Sequence, residues 1–219
     1  MTSAARRAVA AAALAATVLA PAAARADGKP GDFDFYVLAL SWSPSYCEAA
    51  ADDEGSAQCD GGRPYAFVVH GLWPQYDRGY PDFCAADRRD RPSRDAVEAM
   101  LDIMPDPGLV RHEWAKHGTC SGLSSTDYLA LVRRARAAVT VPAEFAKVDR
   151  YRTVAPAAVE RAFRDANPGL AADGVAVTCD GRRLREVRIC LTRDLAFTDC
   201  REVDARGCRK ASVTMPPVR

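Results

Sequence analysis

Two near-continuous apolar runs, FYVLALSW at 35–42 and YAFVVHGLW at 65–73, stand out against the mixed polar background of the chain. Their length and their β-branched and aromatic content predict strands buried on both faces. The segment between them, EAAADDEGSAQCDGGRP, reads as a loop. The period then changes. In PSRDAVEAMLDIM (92–104), Val97, Met100, Leu101 and Met104 share a helical face, with Pro92 in the first turn and Pro105 as the stop. A second helix is predicted over 109–117, ended by Gly118. A third begins at Ser125-Thr126-Asp127 and carries Tyr128, Leu129, Leu131 and Val132 opposite an arginine-rich side. A fourth spans Pro156 to Ala166, before Asn167-Pro168. Alternation returns in GVAVTCDGRRLREVRICLT, where Asp180-Gly181 marks a hairpin, and AFTDC (196–200) reads as a short strand. Strands early, helices in the middle and strands late predict an α+β fold rather than an alternating one.

The N-terminus departs from this pattern. Arg6 and Arg7 precede an apolar run from Ala8 to Ala20, and Ala24-Arg25-Ala26 offers small residues for cleavage. The run is too short to span a bilayer and is broken by Pro21, so residues 1–26 read as a signal peptide and 27–219 as one domain. The formal charge is +1, and without the three arginines of that leader it becomes −2. A near-neutral protein does not attract polyanions in bulk, so any nucleic-acid recognition must be local. All eight cysteines follow the leader, at 47, 59, 84, 120, 179, 190, 200 and 208. In an exported chain an even count argues for four disulfides, and the absence of any C-x-x-C pair argues against a metal cluster. Count alone leaves the connectivity open.

The chain has three histidines, and two of them fall in RHEWAKHGTC (111–120). On a helix, with His112 at zero, Lys116 lies near about 40°, Glu113 near about 100° and His117 near about 140°. Trp114 and Ala115 fall outside that arc, free to pack. Two imidazoles, a carboxylate and an ammonium on one arc suit proton transfer and anion stabilisation. A zinc site needs H-E-x-x-H, with histidines at i and i+4; here they stand at i and i+5. A solvated charged face fits the decapeptide equally well. The third histidine, His70, ends the apolar strand in AFVVHGLWPQ, where the chain is expected to turn through Gly71 into Trp73-Pro74.

YAFVVHGLWPQ and RHEWAKHGTC together resemble the two active-site segments of the T2-type ribonuclease family, and FYVLALSWSPSYC resembles its first strand. The resemblance spans roughly Phe33 to Cys208, the middle helices by pattern only. It implies a central antiparallel sheet packed with helices, and the bridges Cys47–Cys59, Cys84–Cys120, Cys179–Cys208 and Cys190–Cys200. A Cys84–Cys120 bridge would hold the two histidine-bearing segments near each other. The resemblance also implies metal-independent, endonucleolytic cleavage of single-stranded RNA through a 2′,3′-cyclic phosphate, with no cofactor. By carry-over, His117 is the base and His70 the acid, while Lys116 and protonated His112 hold the phosphate oxygens. Glu113 keeps a histidine charged and oriented.

Trp73 and Tyr80 are the candidate base-stacking platforms. Strand alternation sets Trp73 on the face opposite His70, so it reaches the site only if the chain leaves the strand at Gly71. Trp42 and Trp114 are assigned to packing. Three positions differ from common family patterns: Gln75, where some members carry an acid; Ser41, in place of a glutamine; and Leu109, in place of a phenylalanine. The expected partner is single-stranded RNA, with no DNA and no membrane, and the protein is expected to be a secreted (extracellular or periplasmic) monomer. Two competing readings are a disulfide-stapled binding module, which has no need of the histidine arc, and a metal-dependent phosphoesterase or peptidase, which would lose activity with chelator.

Overall fold

The structure is a computed structural model that describes residues 28–50, 57–60, 62–87 and 90–219. The leader expected at 1–26 lies outside the described residues. In chain order the elements are β1 (Phe35–Trp42), α1 (Ser43–Ala49), α2 (Ala57–Asp60), β2 (Phe67–Gln75), α3 (Arg94–Glu98), α4 (Pro107–Lys116) and α5 (Ser125–Ala138). There follow β3 (Arg152–Val154), α6 (Pro156–Ala166), β4 (Val175–Asp180), β5 (Arg183–Leu191), α7 (Arg201–Ala205) and β6 (Val213–Met215).

The fold is α+β. β2, β1, β5 and β4 form an antiparallel sheet in that order, and β6, paired antiparallel to β3, joins β5 in parallel at Arg183. β1 is central and hydrophobic on both sides, as its unbroken apolar run predicts. One face presents Tyr36, Leu38, Leu40 and Trp42, with Val187 and Ile189 of β5, to Tyr128 and Val132 of α5 and Phe163 of α6. Leu38 and Leu40 are fully buried, and each such side chain contributes about 1.5–3 kcal/mol. The other face of β1 carries Val37, Ala39 and Ser41, paired with Cys190, Arg188 and Glu186 of β5. The candidate site lies on this second face.

Local signals explain the helix starts. Ser124 caps α5 by accepting from the Asp127 amide, Asp106 caps α4 by accepting from the Leu109 amide, and Pro156 opens α6. Each cap is worth roughly 1 kcal/mol. α6 ends where Asn167, buried, bonds Phe163 O and both backbone groups of Thr140.

Several expectations need correction. Only Arg94–Glu98 of the helix expected at 92–104 is α-helical, capped by Ser93. Beyond it three-residue turns take over (Met100 N to Val97 O, Ile103 N to Met100 O), which frees Ile103 O to accept from Val69 N at 2.8 Å on the outer edge of β2. Gly118 is not a left-handed helix stop. A Cβ there would meet Trp114 at 2.4 Å and Tyr128 at 2.8 Å, so the glycine makes room. The chain continues as a tight turn over Gly118–Ser121, and the left-handed residue is Gly122. AFTDC forms one isolated bridge, Phe197 to Leu191, rather than a strand. Within α4, Ala115 is exposed rather than packed, whereas Glu113 is buried beside Trp114.

The eight cysteines form four disulfides, Cys47–Cys59, Cys84–Cys120, Cys179–Cys208 and Cys190–Cys200, the pairs that the resemblance implies. Cys84–Cys120 ties the segment after β2 to the turn after α4. Cys190–Cys200 joins β5 to the start of α7 and, with Phe35 and Val37, makes a small second core beneath Trp73.

Candidate active site

His70 and Trp73 reach the same face of the sheet by a β-bulge. Across β1, Ala39 opposes Gly71 while Leu40 opposes Val69, so His70 is the extra residue. An inserted residue reverses the alternation beyond it. β2 therefore continues to Gln75 instead of ending at Gly71, and His70, Gly71 and Trp73 all face the site. Gly71 is needed for space: a Cβ there would lie 1.9 Å from Glu113 Oε2 and 2.3 Å from Trp73 Nε1.

Through this opening α4 delivers Glu113. Trp73 Nε1–H donates to Glu113 Oε2 at 2.7 Å, and Glu113 Oε1 lies 3.6 Å from His70 Nε2. Tyr128 of α5 donates its hydroxyl to Leu72 O at 2.7 Å and holds the strand between these residues. His117, the C-cap of α4, lies against the indole with ring centroids 5.4 Å apart, and His70 meets it edge-on at 5.2 Å. Tyr80 is exposed, 6.0 Å from His117, with Lys116 Nζ 6.0 Å from its ring centroid. His112 is exposed at the rim, edge-on to Phe83. His70, His112, Glu113, Lys116, His117, Trp73 and Tyr80 thus line one cleft of about 350 Å³. On the far side of His70 lies a second cavity of about 500 Å³, which Ser41 and Leu109 help to line.

β5 supplies residues that sequence reasoning missed. Glu186 is 1% exposed, and its Oε1 accepts from His70 Nδ1 at 2.6 Å. Its Oε2 accepts from Arg188 at 3.0 and 3.1 Å, and the Arg188 guanidinium lies 5.1 Å from the Trp73 ring centroid. Their only sequence signal is the alternate row Glu186, Arg188, Cys190 in LREVRIC, which reads as an ordinary solvated strand face. Glu202 and Arg206, from α7 and the turn after it, close the other end of the cleft.

The two inner histidines are electrostatically opposite. Burial pushes the His70 pKa down, but its hydrogen bond to Glu186 and the charges of Glu186 and Glu113 more than offset this, leaving it raised despite Arg185. Burial, with Lys116, His70 and His112 nearby, lowers the His117 pKa to about 3. Burial raises Glu113, partly opposed by His70, the Trp73 hydrogen bond and Lys116. Burial opposes the charge on Glu186 too, yet His70 and the two arginines bring it down to about 2. The surroundings therefore favour the charged form of His70 and the neutral form of His117. His117 Nδ1 is buried with no hydrogen-bond partner among the described residues. Among those residues no group of three or more His, Cys, Asp or Glu side chains is arranged to hold a metal ion.

A sequence model of the Ribonuclease T2 family matches residues 33–200, which take in both histidine-bearing segments and β5. The chain belongs to the Ribonuclease T2 family. As a T2 ribonuclease it is an endoribonuclease, and its relatives are consistent with that. It is 39% identical over 184 residues to a ribonuclease from Aeromonas hydrophila, covering 81% of each chain. It is 30% identical over 211 residues to ribonuclease I from Escherichia coli K12, covering 75% of this chain and 77% of that one. Its fold is similar to that of RNase NT in complex with 5′-AMP, with a TM-score of 0.66 at 26% identity, over 85% of this chain and 99% of the other.

Proposed function

We propose that this T2 ribonuclease cleaves single-stranded RNA without a metal, transferring each phosphate from the departing 5′-oxygen to the adjacent 2′-hydroxyl. The observation that carries this reading is the placement of His70 and His117 against one indole, where the surroundings of His70 favour its charged form and those of His117 its neutral form. Neutral His117 accepts the 2′-hydroxyl proton as the 2′-oxygen attacks phosphorus. His70 gives its Nε2 proton to the 5′-oxygen as the P–O5′ bond breaks. Lys116 and His112, at the rim, stabilise the non-bridging oxygens. The 2′,3′-cyclic product is then opened to a 3′-phosphate by water, with the two histidines exchanging roles.

The two cavities flanking His70 suit the bases on either side of the scissile phosphate. The bound 5′-AMP in RNase NT supports a nucleotide site in this fold. Trp73 has one edge on Glu113 and contacts with Arg188 and His117, which make it a rigid wall of the base site, and Tyr80 is the freer stacking surface. DNA lacks the 2′-nucleophile and is no substrate. Four disulfides fit an oxidising compartment, so we place the protein outside the cytoplasm, as a monomeric catalytic domain from residue 27. None of the helices among the described residues is long and apolar enough to cross a membrane.

The oxidised protein is incubated with RNA and with DNA, with and without EDTA. RNA is expected to be cut equally in both conditions with 2′,3′-cyclic ends, and DNA left intact; comparable DNA cleavage, or loss of RNA cleavage in EDTA, refutes the mechanism. His70→Ala and His117→Ala should each lose at least ~10²-fold in turnover.

A further inference from the structure

The mechanism above gives no part to Glu186, yet this is the most deeply buried acid in the site. It sits on the central part of β5, opposite Ser41 of β1, with 1% of its surface exposed. A carboxylate so placed is costly unless each oxygen is engaged. Both are. Oε2 takes the Nε and Nη2 hydrogens of Arg188, and Oε1 is left for His70 Nδ1, with Arg185 Nε 3.7 Å away. Arg188 in turn lies over Trp73, Trp73 donates to Glu113, and Glu113 faces His70 Nε2. Five side chains from β2, β5 and α4 thus close a ring with His70 at the junction. Either end of the imidazole meets a carboxylate, but the two contacts differ: Nδ1 to Glu186 at 2.6 Å, Nε2 to Glu113 at 3.6 Å. The first is a short charge-assisted hydrogen bond, and the second leaves room at the cleft.

We infer that Glu186 is the positioning residue of the general acid, holding Nδ1–H of His70 so that the Nε2 proton is the one delivered to the departing 5′-oxygen. Which ring nitrogen gives up its proton is set by the bond that the other one makes. In the acid step the Nε2–H bond breaks, the proton passes to the 5′-oxygen, and the ring becomes neutral with Nδ1–H still donated to Glu186. The glutamate stays ionised throughout. Arg188 takes the second oxygen and so fixes the carboxylate plane. The inference rests on the reading of His70 as the acid.

Charged groups act on His70 from every side. Glu186 and Arg185 come from β5 and Glu113 from α4; His117 stands across Trp73, and Asp106, Asp180 and Arg183 line the second cavity. Glu186 is the one that bonds it, and together with Glu113 it outweighs burial and Arg185 in favouring the charged ring.

Glu186→Gln keeps the shape and an acceptor oxygen but removes the charge. Its kcat is expected to fall on the order of 10–100-fold, the scale on which partners that orient a functional imidazole act. KM for RNA should change little. The alkaline limb of the pH profile, set by loss of the His70 proton, should move to lower pH. Glu186→Asp should restore part of both effects. The three histidines are few enough to titrate individually by long-range ¹H–¹⁵N NMR, with circular dichroism to check folding. A folded Glu186→Gln protein with an unchanged alkaline limb and an unchanged His70 titration overturns the inference. The wild type gives a test that needs no variant: after the ring loses its first proton, His70 should retain its hydrogen on Nδ1. A neutral His70 protonated only on Nε2 overturns the inference as well. If His70→Ala keeps full activity, the acid assignment fails first, and the NMR titration still reports separately on the Glu186 contact.

Discussion

Gly71→Ala puts a single methyl group at the narrowest point of the site. The new Cβ would lie 1.9 Å from Glu113 Oε2, and ordinary contact begins near 3.4 Å, so the carboxylate must retreat by about 1.5 Å or β2 must shift. Glu113 cannot retreat freely, because it is 2% exposed on α4 beside buried Trp114, and β2 is held at Leu72 by Tyr128. Overpacking of this kind costs roughly 1–3 kcal/mol, and losing the charge-assisted bond from Trp73 to a buried carboxylate adds about 1.5–3 kcal/mol. The sum is roughly 2.5–6 kcal/mol, which for a chain of this size lowers Tm by about 5–24 °C. Turnover on RNA should fall at least ~10²-fold, because the same shift displaces the indole between His70 and His117. Thermal unfolding of the oxidised protein and initial rates on RNA measure both. Gly181→Ala is the control. Gly181 has φ +53° in the β4–β5 turn and nothing within 4 Å of its Cβ position, so only backbone strain of about 1–2 kcal/mol is expected, with activity kept. A Gly71→Ala protein with a Tm within about 3 °C of wild type and full turnover would refute the crowding argument.

Replacing Cys84 and Cys120 together by alanine opens a loop with a sequence separation of 36 and should cost ~3–4 kcal/mol, read as a lower Tm; an unchanged Tm counts against a stabilising bridge. Stability should also fall with acid, for a reason specific to His117. Unfolded, it takes up its proton near 6.5; folded, only near about 3, so its contribution is complete above 6.5 and is lost as pH drops through that window. The slope reaches up to about 1.4 kcal/mol per pH unit. Glu186, held at about 2 against an ordinary 4.5, adds its own loss only below 4.5. His70 has the opposite sign: its raised pKa gives a contribution that is complete below 6.5 and fades as pH rises through the raised value. Melting curves against pH for wild type and His117→Ala should therefore diverge in slope between 6.5 and 4.5, and parallel curves would mean that His117 is not held neutral.

Elements whose pattern is self-contained were legible from the chain alone. β1 and α6 lie at the bounds that their runs predict, because an eight-residue apolar run and a proline-opened amphipathic helix carry their own signals. The histidine-bearing segments stand out in the chain because the residue is scarce, and the structure brings all three histidines to one cleft. Three-residue strands such as β3 and β6 show no period to read, and the helix expected over 92–104 runs past α3 because Val97, Met100 and Met104 are buried whether or not the helix continues.

Periodicity is a property of a single segment, so the chain's own pattern shows which sides of which elements are apolar. It carried the α+β class, the disulfide chemistry and the candidate residues of the two histidine segments. How polar rows from different segments meet is fixed by the packing of the whole chain. The bulge at His70 exists only relative to β1, and it alone puts His70 and Trp73 on one face. Gly71 reads as a turn until Glu113 is seen filling the space beside it. Glu186 reads as a solvated strand residue until β5 is paired at the centre of the sheet, which removes its water and gives it His70 and Arg188 instead. Register and burial are relations between distant segments, and no local pattern encodes them.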